Sequence, residues 1–312
     1  MKLETVNEII ACLPKERTLF NYYKDRYAFL LLSLACQKGK VDDFAKLLNK
    51  PAIRQWFGQQ GKVDLNADRL KSHWSEASND FVLSLTHWDG TDPEYDQTSR
   101  AGHNLVLQLG FSNKHEAMYK KLMCGVFQPF AMLCHPVMDR EKKHHRFRET
   151  MAWARIDLCF ETNEALIEEI QTDWVREVND LYKELSNDKT QQKINSWWGI
   201  DAPIERVLQY CEYIIREYKS LWDEAMLSAS IDFIVNELGI TQVYYHSYET
   251  GKKLKNCNPP QSLYTQLPKK FCFKKTDKAP SFLYEDRRFK RLIKKIDQPE
   301  WHYLNFEEAK HA

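Results

Sequence analysis

The chain is predicted to be an α/β protein, with an N-terminal helical region followed by a mixed sheet flanked by helices. Three observations predict it. Residues 1–77 carry apolar positions at helical spacing. From Phe81 onward, short runs rich in β-branched and aromatic residues alternate with amphipathic helical stretches. The 43% hydrophobic and 13% aromatic content of the 312 residues is enough to fill a core. The change of period sets a boundary between a helical region, 1–77, and an α/β domain, 78–312.

In the first region, 3–13 reads as an amphipathic helix stopped by Pro14, and 18–37 as a helix closed by Gly39. Residues 41–48 form a short helix before Pro51, and 67–74 another. Strands are expected over 81–88 and 104–111, with 89–103 as a loop between them. A helix follows over 113–123 with Asn113 as its N-cap, then a strand over 130–137 and a polar run over 139–149. Residues 152–160 and 165–170 read as a hairpin across the polar turn Thr162-Asn163-Glu164. Beyond it lie a helix over 175–185, a loop over 186–203 holding Trp197 and Trp198, and a helical stretch over 204–238. That stretch divides near 219–222 and stops at Gly239. A strand over 240–246, a helix over 261–271 interrupted by Pro268, a strand at 272–275, a basic helix over 281–296 and a strand over 301–306 complete the chain.

The formal net charge is +1, so no global field draws the chain to nucleic acid or membrane. The eight cysteines are scattered with no CxxC pair, which points to reduced thiols in a cytoplasmic protein. The longest apolar run, 28–36, is far short of the roughly 20 residues that span a bilayer, so no membrane partner is expected.

The second strand of the hairpin ends in Glu168, Glu169, Gln171, Asp173 and Trp174. Strand alternation puts Glu169, Gln171 and Asp173 on one face and Glu168 on the other with Ile170. Three polar groups closing an apolar strand mark a candidate site. Glu169, Asp173 and Gln171 are its candidate catalytic groups, and Trp174 and Arg155 its substrate-binding groups. His246 joins them because it ends a strand at the carboxyl edge of the sheet, where α/β proteins bind ligands. His135, His144, His145 and His246 could in principle supply metal ligands with Glu169 and Asp173, although His144-His145 lies in a charged run without a helical His-x3-His spacing. The basic stretches 269–275 and 287–295 are interleaved with aromatics, a pattern suited either to a phosphate backbone or to a solvated face.

Three family resemblances attach to these residues. Asp157 followed by Glu169-x-Gln171 resembles the metal site of PD-(D/E)XK nucleases, with Gln171 where the usual lysine stands. It implies Mg²⁺ held by Asp157 and Glu169, with nucleic acid as substrate. Residues 222–246 resemble the helix–Gly–strand unit of GNAT acyltransferases, and 262–273 that family's tyrosine-bearing helix and following strand. This implies a GNAT-like sheet with 165–174 as the central strand, whose end splays to admit acetyl-CoA or another acyl-CoA. Glu169 or Asp173 would then be the base toward an amine, and Tyr264 the acid for the leaving thiolate. The family's glycine-bearing phosphate loop is missing from 175–179. Finally, EEIQTDW at 168–174 resembles the EIQSDW signature of uncharacterised modules in large polyvalent phage and mobile-element proteins, with similarity over roughly 145–275. It implies Glu169, Gln171, Asp173 and Trp174 as a shared site and names no reaction. The leading expectation is an acyltransferase-like protein acting on a small-molecule or protein substrate. The alternatives are a Mg²⁺-dependent nuclease and a non-enzymatic binding module of a phage-conflict system.

Overall fold

The computed structural model describes residues 1–13, 18–60, 65–92, 96–123, 130, 135–136, 148–187 and 202–307. Among them eight strands form one mixed sheet: β1 (Thr18–Tyr22), β2 (Asn79–Trp88), β3 (Asn104–Gly110), β4 (Thr150–Cys159), β5 (Glu164–Gln171), β6 (Gln242–His246), β7 (Lys274–Thr276) and β8 (Trp301–Asn305). Their spatial order is β1-β2-β3-β4-β5-β6-β8-β7. Every neighbouring pair is antiparallel except β5 and β6, which run parallel. The flanking helices are α1 (Leu3–Cys12), α2 (Arg26–Gln37), α3 (Pro51–Gln60), α4 (Ala67–Lys71), α5 (Asn113–Met123), α6 (Trp174–Leu185), α7 (Ile204–Tyr218), α8 (Trp222–Asp232), α9 (Tyr248–Lys255), α10 (Gln261–Lys270) and α11 (Arg287–Ile293). None of the described helices is long and apolar enough to cross a membrane.

The sheet's two faces bury different cores. Ala152, Ala154, Ile156 and Leu158 of β4 point into the larger one, with Ala165 and Ile167 of β5. Helix α8 lies against β4 and β5 there, and its residues from Glu224 to Ile231 are all buried. The run of alanines and serines on α8 meets the alanines of β4, which lets a helix approach a strand closely from a fully buried position. The other face carries a smaller core of Leu166, Tyr244, Leu254, Phe282, Leu283, Phe289, Ile293 and Trp301.

The N-terminal region departs from the expectation of helix throughout. Residues 18–22, expected inside a helix, form β1 and pair with Asn79–Leu83 of β2. In this strand Phe20 and Tyr22 are buried while Leu19 is exposed, a two-residue period. Asp25 then takes a left-handed backbone, φ 65°, which separates strand from helix. Residues 41–49 form a 3-10 helix, and 51–60, not expected as an element, form α3. Phe20, Tyr22 and the buried face of α2 belong to the same core as β3 to β6. Helix α8 runs into a π-turn, Phe233–Glu237, before Gly239 at φ 70°. The expected strand over 130–137 falls mostly outside the described residues; Phe130, His135 and Pro136 within it lie in turns and bends. The polar run 139–147 with His144 and His145, and Trp197 and Trp198, also lie outside them.

The 96–103 segment is tied to the face that carries the smaller core. Arg100 donates to both carboxylate oxygens of the fully buried Asp157, at 2.6 and 3.0 Å, and the Met1 amino group lies 3.3 Å from one of them. Removing the main partner of a buried charge leaves it uncompensated. Arg100→Met is therefore expected to destabilise the fold by about 3 kcal/mol, read as a lower urea midpoint at unchanged m-value.

Candidate functional site

The β4–β5 ladder carries one irregularity, and the site is organised by it. Trp153 pairs with Gln171, Ala154 with Ile170 and Arg155 with Glu169, but Ile156 pairs with Ile167. Glu168 is therefore an extra residue, a β-bulge. Its consequence overturns the simple alternation. Glu168 reaches Ser99 and His246, while Glu169 reaches Arg155, whose guanidinium donates to the carbonyls of Asp96 and Gln97. Because the 96–100 segment contacts both groups, Glu168 and Glu169 share a face instead of opposing each other.

Glu168 and His246 are both fully buried. The carboxylate accepts from the Ser99 amide at 3.0 Å, the Ser99 hydroxyl at 2.9 Å and His246 Nε2 at 2.9 Å. Burial alone would raise its pKa, but these donors, with Lys255 and Arg155 nearby, hold it well below the usual carboxylate range. Burial pushes the His246 imidazole down, so it is neutral beside an ionised Glu168. Serine and glutamate meet the same ring nitrogen, and Nδ1 has no partner. A triad places its acid and its nucleophile on opposite nitrogens, so this trio is not a nucleophilic triad. Arg155, also buried, lies 4.8 Å over the Trp88 ring and is closed by Glu169.

The parallel pairing of β5 and β6 stops at Ile167 and Tyr245, just before the bulge. The fully buried Lys255 donates from there to the Glu168 carbonyl at 2.6 Å. Tyr264 stacks on Tyr245 with ring centres 5.1 Å apart and planes 9° apart. Its buried hydroxyl has no normal hydrogen bond, and burial raises its pKa well above the phenol value. The ring also lines a cleft of about 840 Å³ at the carboxyl end of β6.

The second half of the site gathers on Asp173, at the start of α6. It accepts from His135 Nδ1 at 2.8 Å, Gln171 Nε2 at 2.7 Å, Arg176 at 3.0 Å and Trp153 Nε1 at 3.3 Å. Burial would raise its pKa, and the His135 hydrogen bond leads the contributions that reverse the shift, so it is ionised. His135 Nδ1 also lies 3.1 Å from Gln171 Nε2, and the His135 side chain is 22% exposed. The ring stands 5.6 Å from that of Trp153. A buried carboxylate fixing one nitrogen of a partly exposed imidazole is an arrangement that can serve a general base.

Trp174, a candidate substrate-binding residue, lies in the larger core. It is 1% exposed, packs edge-on to Phe111, His115, Tyr119 and Phe130, and donates to Tyr210 Oη at 2.7 Å. The structure thus brings Glu169, Gln171, Asp173 and Arg155 to one face with His246, and sets Trp174 and Tyr264 against the other. Ser99, Lys255 and Trp153 were not anticipated from the sequence. His135 was considered only as a metal ligand, and nothing in its local sequence pairs it with Asp173. Among the described residues, no group of three or more His, Cys, Asp or Glu side chains is placed to hold a metal.

An acyl-CoA does not fit between β5 and β6. Where the strands part, the buried Lys255 ammonium takes the Glu168 carbonyl. The start of α6, where a pyrophosphate would need bare amide donors, carries the ionised Asp173, and Glu177 lies in the first turn.

A pH dependence follows from the buried pair. The unfolded chain binds a proton on His246 as pH falls through 6.5, and the folded chain resists it because its imidazole pKa is lowered. Glu168, also lowered, adds to the loss as pH falls below 4.5. Stability is fully present above 6.5 and declines below it. The melting temperature is expected to fall progressively from pH 7 to 4.5, with a shallower fall in His246→Gln, as measured by scanning calorimetry.

Comparison of the chain with protein-family models, curated proteins and solved structures returns no match in any of the three.

Proposed function

We propose that the chain is an acyltransferase-like enzyme of the cytoplasm in which His135 is the general base and Asp173 orients it. The observation that carries this reading is the His135–Asp173 dyad at the carboxyl end of the only parallel strand pair among the described residues. Further support comes from the GNAT-like resemblance, which implies a central strand over 165–174 whose end splays. The free state of Cys12, Cys36, Cys159, Cys211, Cys257 and Cys272 supports a reducing compartment.

In this reading an amine or hydroxyl of a small-molecule or protein substrate attacks the acyl carbonyl. His135 Nε2 takes the nucleophile's proton as the new bond forms, and Asp173 stabilises the resulting imidazolium. When the bond to the leaving group breaks, the same nitrogen returns the proton to it. Gln171, Trp153 and Arg176 hold the Asp173 carboxylate in place. Tyr264, packed on the other face, takes no part, and no step runs through CoA. The nuclease reading draws less support, because Arg100 takes Asp157 and Arg155 takes Glu169. A binding module is favoured by one observation: the Glu168 and Glu169 carboxylates are satisfied internally, as in a purely structural scaffold.

The test is turnover of p-nitrophenyl acetate with a primary amine as acceptor. His135→Gln and Asp173→Asn are expected to slow it by about 100-fold or more with unchanged circular dichroism, and acetyl-CoA is expected to leave the melting temperature unmoved. Equal turnover by His135→Gln would sink the proposal. Mg²⁺-dependent DNA cleavage lost in Glu169→Gln would put the nuclease first, and no reaction at all the binding module.

A further inference from the structure

Helix α11 is charged in a way that stability does not explain. Arg287, Lys290, Arg291 and Lys294 fall at positions i, i+3, i+4 and i+7, so the helix and the residue that caps it present them on one face. All four are exposed, as is Lys295, and none makes an ion pair or hydrogen bond through its side chain among the described residues. The opposite side is the anchor: Phe289, Ile293 and Ile296 are buried in the smaller core. The acids near this face stand at its ends. Asp286 is spent on capping, accepting from the Phe289 amide at 2.6 Å; Glu285 precedes it and Asp297 follows the helix.

Cations at a helix C-terminus complement the helix dipole, but Arg287 and Arg288 stand in the first turn, where positive charge opposes it. Arg288 has a structural task, donating to the Thr98 and Leu254 carbonyls at 3.3 and 3.4 Å. Arg287 has none. The like-charged pairs Arg287–Arg291 and Lys290–Lys294 lie at i,i+4, a spacing at which they repel. Helix α9, which packs against α11, adds exposed Lys252 and Lys253. From Lys269 to Lys295 the chain holds eleven lysines and arginines against three acids, while the whole chain is only +1. Three residues before the helix, Tyr284 is 44% exposed, its ring edge-on to Phe289 with centres 5.2 Å apart.

We propose that the α11 face binds single-stranded nucleic acid, with Arg287, Lys290, Arg291 and Lys294 against successive phosphates and Tyr284 stacked under a base. A line of unpaired cations beside a fixed exposed aromatic ring is the combination that single-strand binding uses. An anionic membrane fits less well, because the apolar side chains of α11 are turned into the core and none is left to enter a bilayer. The face shares no residue with the His135–Asp173 dyad and does not depend on its chemistry.

The test is fluorescence polarisation of a labelled oligothymidylate of twenty nucleotides on the full chain, at 50 and 200 mM salt. Four phosphate contacts are expected to weaken binding about 50-fold over that range. Lys290→Gln/Lys294→Gln removes two contacts and is expected to reduce the salt effect to about 7-fold. Tyr284→Ala is expected to bind about tenfold more weakly with the salt effect unchanged. Both variants alter exposed side chains, and unchanged melting temperatures confirm their folding. Absence of binding at 50 mM salt, equal binding by the lysine double variant, or tighter binding to phosphatidylserine vesicles than to the oligonucleotide would each overturn the proposal.

Discussion

A single inserted residue, Glu168, is the constraint on which this molecule depends. The bulge puts two consecutive carboxylates on one face of a buried strand, and buried carboxylates must be matched by donors. The matches come from three places, Ser99, Arg155 on the neighbouring strand and His246 at the end of β6, and Lys255 at the end of α9 adds a hydrogen bond to the Glu168 backbone carbonyl. Each match fixes another element. Ser99 pins the 96–100 segment over the sheet, His246 sets the end of β6, and Lys255 fixes how α9 leaves it. Gly251 of α9 belongs to the same arrangement, since a Cβ there would sit 3.0 Å from that of His246.

Charge pairs of this kind contribute more to specificity than to net stability, because desolvation offsets much of their attraction. That separates the polar groups of this face into two kinds. Glu168, His246, Arg155 and Lys255 are enclosed and occupied with one another. His135 differs: one ring nitrogen is held by Asp173, and the side chain is 22% exposed.

The architecture was largely legible in the sequence, and the reasons for the misses are local. The hairpin of β4 and β5 announced itself by alternation, and Gly239 by its place after a long apolar period. Residues 18–22 misled because aromatic residues followed by an apolar run satisfy helical spacing as well as strand spacing. The bulge could not be read, since an insertion of one residue leaves no mark in a hydrophobic pattern, and so Glu168 was placed on the wrong face. Asp173 and Gln171 were found as a cluster, but their partner His135 lies 36 residues before Gln171, beyond the range of any periodicity. Trp174 shares a signature with polar neighbours, but its burial is set by α5 and α7, which local sequence does not bring next to it.

The parallel junction between β5 and β6 also has a consequence for assembly. On one side β2 to β5 pair in sequence order, and on the other β6, β7 and β8 lie within about seventy residues of chain. Closing the sheet between them joins strands with α6, α7 and α8 lying between them along the chain, so loop-closure entropy falls most heavily on that join. The join is only four residue pairs long, from Glu164–Gln242 to Ile167–Tyr245. The Glu168–His246 and Lys255 hydrogen bonds stand directly beyond its last pair and form only when the two halves are in register. They act as a latch on the slowest-closing line of the sheet, and amide protons along β5 and β6 report when it opens.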